Sequence, residues 1–342
     1  MNRLYVIGAG ASCPYDLPPM KTLLWELCET LGGDDRRVIE TAIEETMGIR
    51  MVDPEDSPDF EEFLNRLDIR GLLYLRAVGV DLASTLRVQA AEVALRALLD
   101  FIRAHCVSAR SHEGPYDRLV ASLSDDDAIV SFNWDVMIEV AFRRIGRAYT
   151  YMPREPSSIA TLLLKPHGSI NWFALLDREL LSIDLSHKSN MRVMGESLSY
   201  YMLYLEDPLG PPEMGNSSYF AKLAVAPVPA IVPPRSAKTL AVGGPTRDNF
   251  VDAGHSRCME QVWRTFNSLV ASADEIVLIG YSLPGTDAAS ILVLKQCRNW
   301  DANKKFLIID KNPKVVERFQ RVACPQARLL CSDFNDFDPA AI

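Results

Sequence analysis

The chain has 342 residues, of which 48% are hydrophobic and 24% charged, as in a folded globular protein. Its formal net charge of -9 argues against a protein that coats nucleic acid, and we expect no direct nucleic-acid binding. No apolar run approaches the roughly 20 residues that span a bilayer, so we expect no membrane association either.

The seven cysteines are scattered along the chain, and no two of them have the C-x-x-C spacing of a zinc ribbon. Their odd number, together with the lack of a secretory leader, predicts a reducing, cytoplasmic environment. We therefore expect a cytoplasmic protein without a bound metal.

The first predicted element is a buried strand that ends in a turn of small residues. Residues 4–7 are apolar and β-prone, and the turn spans Gly8–Ser12. Such a turn lets the backbone approach a ligand and opens a helix whose amino end favours an anion, usually a phosphate. It is either a diphosphate cradle with Ser12 as a hydroxyl donor, or a tight turn without a ligand. Because position 13 is Cys13 and not a third glycine, the dehydrogenase fingerprint is not met.

Residues 18–112 are predicted to form a helical block. Apolar residues near its start recur at helical spacing, residues 36–47 predict a second helix, and residues 80–106 predict a long one. Asp59, Glu61 and Glu62 fall in the first turn of another helix, where acidic side chains suit the helix dipole. We expect this block to be an insertion that caps the face where the first turn lies.

Strands then alternate with helices along the rest of the chain. Residues 128–132, 161–165, 275–279, 305–310 and 327–330 predict strands, whereas residues 171–258 are proline-rich and predict an irregular insertion. Such alternation is typical of a parallel sheet with helices on both faces. The prediction is a Rossmann-like α/β fold in a single domain over residues 1–342, with a helical insertion at 18–112 and an irregular insertion at 171–258.

Polar or small residues follow most of these strands, at the sheet edge where α/β proteins bind ligands. Asn133 is suited to fixing a ribose hydroxyl or a water, and Asp135 to the same role or to capping the next helix. His167, between a proline and a glycine, is favoured as a general base because its unperturbed pKa of about 6.5 suits proton transfer near neutrality.

Two further strand ends carry candidates for cofactor binding. Gly280 permits close backbone approach, and Ser282 offers a hydroxyl to a phosphate or a ribose. Asp287 is interpreted as the N-cap of the next helix. Asp310 is placed either to accept hydrogen bonds from ribose hydroxyls or to form a turn.

Taken in order, these segments resemble the sirtuin-like family of bacterial proteins, over about residues 2–334. The resemblance is carried by Gly8-Ala9-Gly10-Ala11-Ser12, Ser131-Phe132-Asn133-Trp134-Asp135, His167-Gly168-Ser169, Ile231-Val232-Pro233-Pro234 with Lys238, and the stretch from Ala273 to Pro284. It implies NAD as the substrate. It also implies a diphosphate contact from Gly8, Ala9, Gly10 and Ser12, a nicotinamide-ribose contact from Asn133 and Asp135, a base in His167, and completion of the site by Gly280 and Ser282.

The chain departs from the protein deacylases of that family. Asp16-Leu17-Pro18-Pro19-Met20 stands where those enzymes carry an isoleucine-proline and a phenylalanine-arginine pair, and the four-cysteine zinc module is absent. The pattern is more similar to the NAD-hydrolysing members of bacterial antiphage defence. The resemblance therefore implies an NAD+ glycohydrolase that releases nicotinamide and ADP-ribose.

Two alternatives remain open on the sequence: an NAD-dependent protein deacylase or ADP-ribosyltransferase, and a non-catalytic nucleotide-sensing or assembly subunit. An NAD-depleting enzyme would harm its host if it were always active. We therefore expect control by homo-oligomerisation or by a separate partner such as a HerA-type ATPase.

Overall fold

A computed structural model of the chain describes residues 2–67, 86–152, 160–176, 191–197, 200–210, 228–231, 250–285, 287–300 and 303–339. The strands are β1 Arg3–Ile7, β2 Ala128–Ser131, β3 Tyr149–Thr150, β4 Thr161–Leu164, β5 Gly168–Leu176, β6 Met191–Ser197, β7 Tyr200–Leu205, β8 Val228–Ile231, β9 Glu275–Ile279, β10 Lys305–Ile309 and β11 Arg328–Cys331. The α-helices are α1 Met20–Thr30, α2 Gly33–Met47, α3 Phe60–Arg66, α4 Leu86–Ala109, α5 Pro115–Ser122, α6 Met137–Ile145, α7 Phe250–Ser272, α8 Ala288–Leu294 and α9 Lys314–Val322. Short 3₁₀ helices cover Ala9–Tyr15, Pro54–Asp56, Lys295–Asn299 and Phe334–Asp336.

The main sheet has seven strands in the order β11-β10-β9-β1-β2-β4-β3, and every pair in it is parallel. On one side of β1 lie β2, β4 and β3, and on its other side lie β9, β10 and β11. The crevice between β1 and β9 is thus the point where the strand order reverses, which is where open α/β sheets bind ligands.

Helices cover both faces of this sheet. Alternate residues of β1 point into different cores: Tyr5 and Ile7 pack with the helical block and α5–α6, while Leu4 and Val6 pack with helices α7–α9. A strand buried on both faces is largely apolar, as β1 and β9 are after their first residues, Arg3 and Glu275. The predicted Rossmann-like parallel sheet with helices on both faces is confirmed.

The helical block contains α1 to α4 among its described residues. The second predicted helix begins at Gly33, three residues before the predicted start, and the long helix is described from Leu86 to Ala109. The predicted start of that long helix lies outside the described residues. Asp59 caps α3, since its carboxylate accepts the amides of Glu61 and Glu62.

The prediction of an irregular insertion over residues 171–258 is wrong for the residues that the structure describes there. These include an antiparallel sheet in the order β6-β7-β5-β8, and α7 begins at Phe250. Pro229 lies in β8, and an edge strand tolerates proline because one side of it needs no ladder donor. Pro229 thus shows that a proline in this stretch does not exclude a strand.

None of the helices within the described ranges combines the length and the apolar character that crossing a bilayer requires. The sites of all seven cysteines are described, and each thiol is free.

Candidate functional site

Four neighbouring strands of the sheet end at the same level. Ile7 lies opposite Ser131 and Ile279, and Ile279 lies opposite Ile309. The residues that follow β2, β1, β9 and β10 therefore meet at one edge, around a cavity of about 320 Å³. The wall contains each site residue predicted from the sequence: Gly8, Ala9, Gly10, Ser12, Asn133, Asp135, His167, Gly280, Ser282 and Asp310.

The helical block closes another side of this cavity. Its lining residues include Met20 and Leu23 from α1, Asp59 and Glu61 at the start of α3, and Ile102 from α4. The expectation that the block caps the face of the first turn is confirmed.

The turns after β1 and β9 are packed backbone to backbone. Gly280 has a φ of +58°, and a β-carbon on it would lie 2.3 Å from the Ala11 nitrogen. The Gly8 and Gly10 amides donate to the carbonyls of Ile279 and Gly280, both at 2.9 Å. These glycines are thus required by the close approach of two turns, and the two amides are already bonded within the protein.

Ser12, Asn133 and Tyr116 form a buried hydrogen-bond network in the cavity wall. The Asn133 Nδ2 group donates to the Gly8 carbonyl and to Ser12 Oγ, each at 3.0 Å. Ser12 Oγ donates to Asp135 Oδ2 at 2.8 Å and lies 3.0 Å from Tyr116 Oη, which therefore donates to it. Because Ser12 donates its only hydroxyl proton to Asp135, it cannot also donate a hydrogen bond to a phosphate in this arrangement.

This network fixes the orientation of the Asn133 side chain. Because both hydrogens of its amide nitrogen have partners, its Oδ1 is the end left to accept, and no donor within the described ranges of the chain reaches that oxygen. Asp135 has a different role: its Oδ1 accepts the amide of Met137, the first residue of α6, at 3.0 Å, whereas Val136 occupies the N-cap position. Asn133 can offer an acceptor to a hydroxyl or a water, whereas Asp135 supports the wall.

A buried lysine holds the loop that carries His167. Lys165 is 0% exposed, and its ammonium donates to Glu139 Oε1 and Ser169 Oγ at 2.8 Å each and to the Asp135 carbonyl. An ammonium has three donors, and all of them are satisfied. The turns after β2 and β4 are therefore tied together beneath the cavity.

A second anchor acts on His167 itself. The Trp134 indole donates to the His167 carbonyl at 3.1 Å, and the next residue, Gly168, has a φ of +76°. The imidazole packs edge-on against the Phe132 ring, with 4.9 Å between centroids, and Phe132 stacks on Tyr281. The position and plane of the imidazole are thus set by the ends of three strands.

Asp287 lies beside this imidazole, with its Oδ2 3.3 Å from His167 Nε2. It is the N-cap of α8, as predicted, because Oδ1 accepts the Ser290 amide. Its Oδ2 also accepts the hydroxyls of Tyr281 and Ser290. Burial raises the pKa of Asp287, but the nearby His167 and these hydrogen bonds outweigh burial and lower it overall. The carboxylate remains ionised beside the imidazole.

Glu61 approaches the other ring nitrogen, with its Oε1 3.9 Å from His167 Nδ1. Burial lowers the pKa of His167, but the nearby charges of Asp287 and Glu61 act in the opposite direction, and the pKa is raised overall. Sequence reasoning missed both carboxylates as partners of His167, because helix capping and the helix dipole already accounted for acidic residues at those positions. No local signal distinguishes an acid that only caps from one that also contacts a distant side chain.

The remaining candidates lie on the open side of the cavity. Ser282 is exposed. Asp310 is partly buried, its Oδ1 accepts the Asn312 amide at 2.8 Å, and burial raises its pKa. Asp310 therefore forms the predicted turn and also lines the cavity, and its second carboxylate oxygen is not used by that turn.

Among the described residues, no group of three or more His, Cys, Asp or Glu side chains is arranged to hold a metal ion. A scan against protein-family models and a search of curated proteins gave no match.

Solved structures similar to this chain include Sir2 enzymes. One, reported for the mechanism and regulation of Sir2 enzymes, is 14% identical over 91% of this chain and 82% of that chain, with a TM-score of 0.36. Sir2Tm bound to a propionylated peptide is 11% identical over 99% and 89%, with a TM-score of 0.34. A Sir2 homologue in complex with 2'-O-acetyl ADP ribose is 13% identical over 99% and 88%, with a TM-score of 0.40. With such low values, the Rossmann-like assignment rests on the strand order itself.

Proposed function

We propose that the protein is an NAD+ glycohydrolase, which cleaves NAD+ to nicotinamide and ADP-ribose. The observation that supports this most is the convergence of Asn133 and His167 on one cavity at the reversal point of the sheet. A free amide oxygen and an imidazole in the wall of one cavity are groups that can serve such a hydrolysis. The sequence resemblance to sirtuin-like NAD hydrolases agrees with this site.

Cleavage of NAD+ needs little acid catalysis from the protein. When the bond between ribose C1′ and the nicotinamide nitrogen breaks, its electron pair stays on nitrogen and the positively charged ring leaves neutral. The ribose then resembles an oxocarbenium ion, and water adds to C1′. The protein must hold the ribose, place the water and accept one proton from it.

Asn133 and His167 fit these tasks. The Asn133 Oδ1 accepts a hydrogen bond from a ribose hydroxyl or from the attacking water, because its amide nitrogen is held by Gly8 and Ser12. His167 takes the proton that the water loses, and the adjacent Asp287 carboxylate stabilises the resulting imidazolium. The adenosine side of NAD+ is assigned to the edge with Ser282 and Asp310.

The direct test is nicotinamide release from NAD+ by the purified protein, followed by chromatography. We expect Asn133→Ala and His167→Ala each to lower the rate by at least about 100-fold, a typical contribution of a positioned acid-base group. His112→Ala is the matched control, because that side chain is exposed and lies outside the cavity. Unchanged turnover in both site variants would contradict the proposal.

Other products would identify the alternatives. Formation of O-acyl ADP-ribose from an acyl-lysine peptide would establish a deacylase, and transfer of ADP-ribose to an acceptor would establish a transferase. Tight NAD+ or ADP-ribose binding without turnover would identify a nucleotide-sensing subunit.

We also propose that activity is controlled by self-association or by a separate partner such as a HerA-type ATPase, and that it serves antiphage defence. Sedimentation velocity with and without the partner tests the first part. A monomer with full NAD+ hydrolysis would contradict it. Phage plating on cells with the wild type or Asn133→Ala tests the second.

A further inference from the structure

Glu61 is a buried carboxyl that belongs to the helical block and reaches the reaction centre. It lies in the first turn of α3 and is 7% exposed, among the buried neighbours Phe60, Phe63 and Leu64 of the same helix. Its side chain forms part of the cavity wall together with His167. An ionised carboxyl in such a place carries a large desolvation cost unless a hydrogen bond or an opposite charge compensates for it.

The two carboxyls beside His167 are held very differently. Asp287 accepts hydrogen bonds from Tyr281 and Ser290 in addition to its ion pair with Nε2. No hydrogen-bond donor from the described part of the chain reaches the Glu61 carboxyl, and its ion-pair partner there is His167 Nδ1 at 3.9 Å. Asp287 is thus fixed by its own helix, whereas the charge of Glu61 depends on the imidazole.

We propose that Glu61 is a positioning residue that faces the Nδ1 side of His167 and controls whether the imidazole carries a proton. The helical block would then affect the protonation of His167 through Glu61, in addition to closing one side of the cavity. For its catalytic meaning this inference rests on the proposed NAD+ hydrolysis, in which His167 is the base.

The electrostatics of the cluster support this assignment. Burial raises the pKa of Glu61 to about 8, His167 opposes that rise, and the nearby Asp59 and Asp287 add to it. Among the described residues of the cavity wall, the remaining cationic side chain is Lys21, which is exposed. Because each group shifts the pKa of the other across this contact, Glu61 and His167 titrate as a coupled pair.

Glu61→Gln tests the proposal, because it keeps the shape of the side chain and removes the charge. Glu62→Gln is the matched control: it changes the neighbouring residue of the same turn, whose side chain is about half exposed and pairs with Arg66 at 3.4 Å. The primary measurement is the NMR titration of the His167 ring in histidine-labelled protein, with His167→Gln to assign the signal.

We expect His167 in Glu61→Gln to titrate about 1 pH unit lower than in the wild type, since Glu61 can ionise beside the ring as His167 titrates and glutamine cannot. Glu62→Gln should leave the titration unchanged. Glu61→Asp, which retracts the carboxylate by one methylene, should give an intermediate shift and provides a second variant if Glu61→Gln does not fold. An unchanged His167 titration in a folded Glu61 variant would overturn the inference.

The pH dependence of nicotinamide release adds the catalytic readout. If His167 must be neutral to act as the base, the limb on which kcat rises with pH should move down by the same amount in Glu61→Gln, and not in Glu62→Gln. A limb that stays in place in Glu61→Gln would contradict a role in the base. Because the NMR titration needs no turnover, a wild type that does not cleave NAD+ would refute the proposed function and leave the Glu61 test intact.

Discussion

Gly10 and Gly280 lie in direct backbone contact, and a β-carbon on Gly280 would lie 2.7 Å from the Gly10 Cα. This contact joins the turn after β1 to the turn after β9, on the two sides of the reversal point of the sheet. Neither turn can move without the other. The cavity wall between these strands is therefore rigid, which suits a site that must hold a reacting sugar in a fixed position.

Gly280→Ala should destabilise the protein strongly. A methyl group there meets the Ala11 nitrogen, and the φ of +58° is itself unfavourable for alanine. We expect a loss of at least about 3 kcal/mol in the free energy of unfolding, measured by urea denaturation. Gly48→Ala is the control, because Gly48 has a similar φ of +68° but nothing within 4 Å of the added carbon. Gly48→Ala should lower the free energy of unfolding by about 1 kcal/mol. An equal loss in the two variants would show that the protein adjusts to the added methyl group at Gly280 without a further cost.

Ser12→Ala should affect stability and activity together. It removes the hydrogen bond to Asp135 and leaves Asn133 Nδ2 and Tyr116 Oη without one partner each. We expect a loss of about 1–3 kcal/mol in the free energy of unfolding and a large fall in NAD+ turnover, because Asn133 is no longer oriented.

Ser282→Ala is the contrast to Ser12→Ala. Its hydroxyl is exposed at the rim of the same cavity, so its removal should leave the unfolding curve unchanged within about 0.5 kcal/mol. Calorimetric titration with NAD+ should show weaker binding if Ser282 contacts the cofactor. A large loss of stability would contradict its placement at the rim.

Lys165→Met should be severely destabilising, because it leaves Glu139 buried without its cation. Removal of one partner of a buried ion pair typically costs about 3–5 kcal/mol. The double variant Lys165→Met with Glu139→Gln should recover part of this loss, since it removes the isolated charge. Urea denaturation of the three variants provides the comparison, and additive losses would show that the two residues are not coupled.

The buried Glu61 should also make stability depend on pH. Its pKa of about 8 in the folded protein lies above the ordinary value of about 4.3 in the unfolded chain. The unfolded chain thus releases the proton first, and stability falls as pH rises between those values. Glu61→Gln should flatten this fall, so its melting temperature relative to the wild type should be higher at pH 8 than at pH 5. A constant difference across that range would contradict the assigned titration.

The sequence predicted six of the seven strands of the main sheet, because each of those six contains a short apolar run followed by glycine or a polar residue. It missed β3, which is only two residues long. The same pattern identified Asn133 and His167, since carboxyl ends of parallel strands meet at one edge. The second sheet was missed because its strands lack a clear alternation and a proline-rich stretch separates β7 from β8. Pro229 within β8 would have been accepted only with the knowledge that β8 is an edge strand.

The partners of the site residues could not be predicted. Tyr116 contacts Ser12, and Glu61 contacts His167, across 104 and 106 positions of the chain respectively. Such contacts depend on how the helical block and α5 dock on the sheet, which no local spacing encodes. The same holds for Ser12. Its hydroxyl after a glycine turn predicts a hydrogen-bond donor, but the sequence does not show that Asp135 accepts this hydrogen bond.

The helical block supplies Met20, Glu61 and Ile102 to the cavity wall, although it lies between β1 and β2 in the sequence. A shortened chain that kept only the strands and their connecting helices would therefore have an open cavity and a histidine with a single carboxylate neighbour. An engineered shorter version that is to keep this cavity wall therefore has to retain α1, α3 and α4.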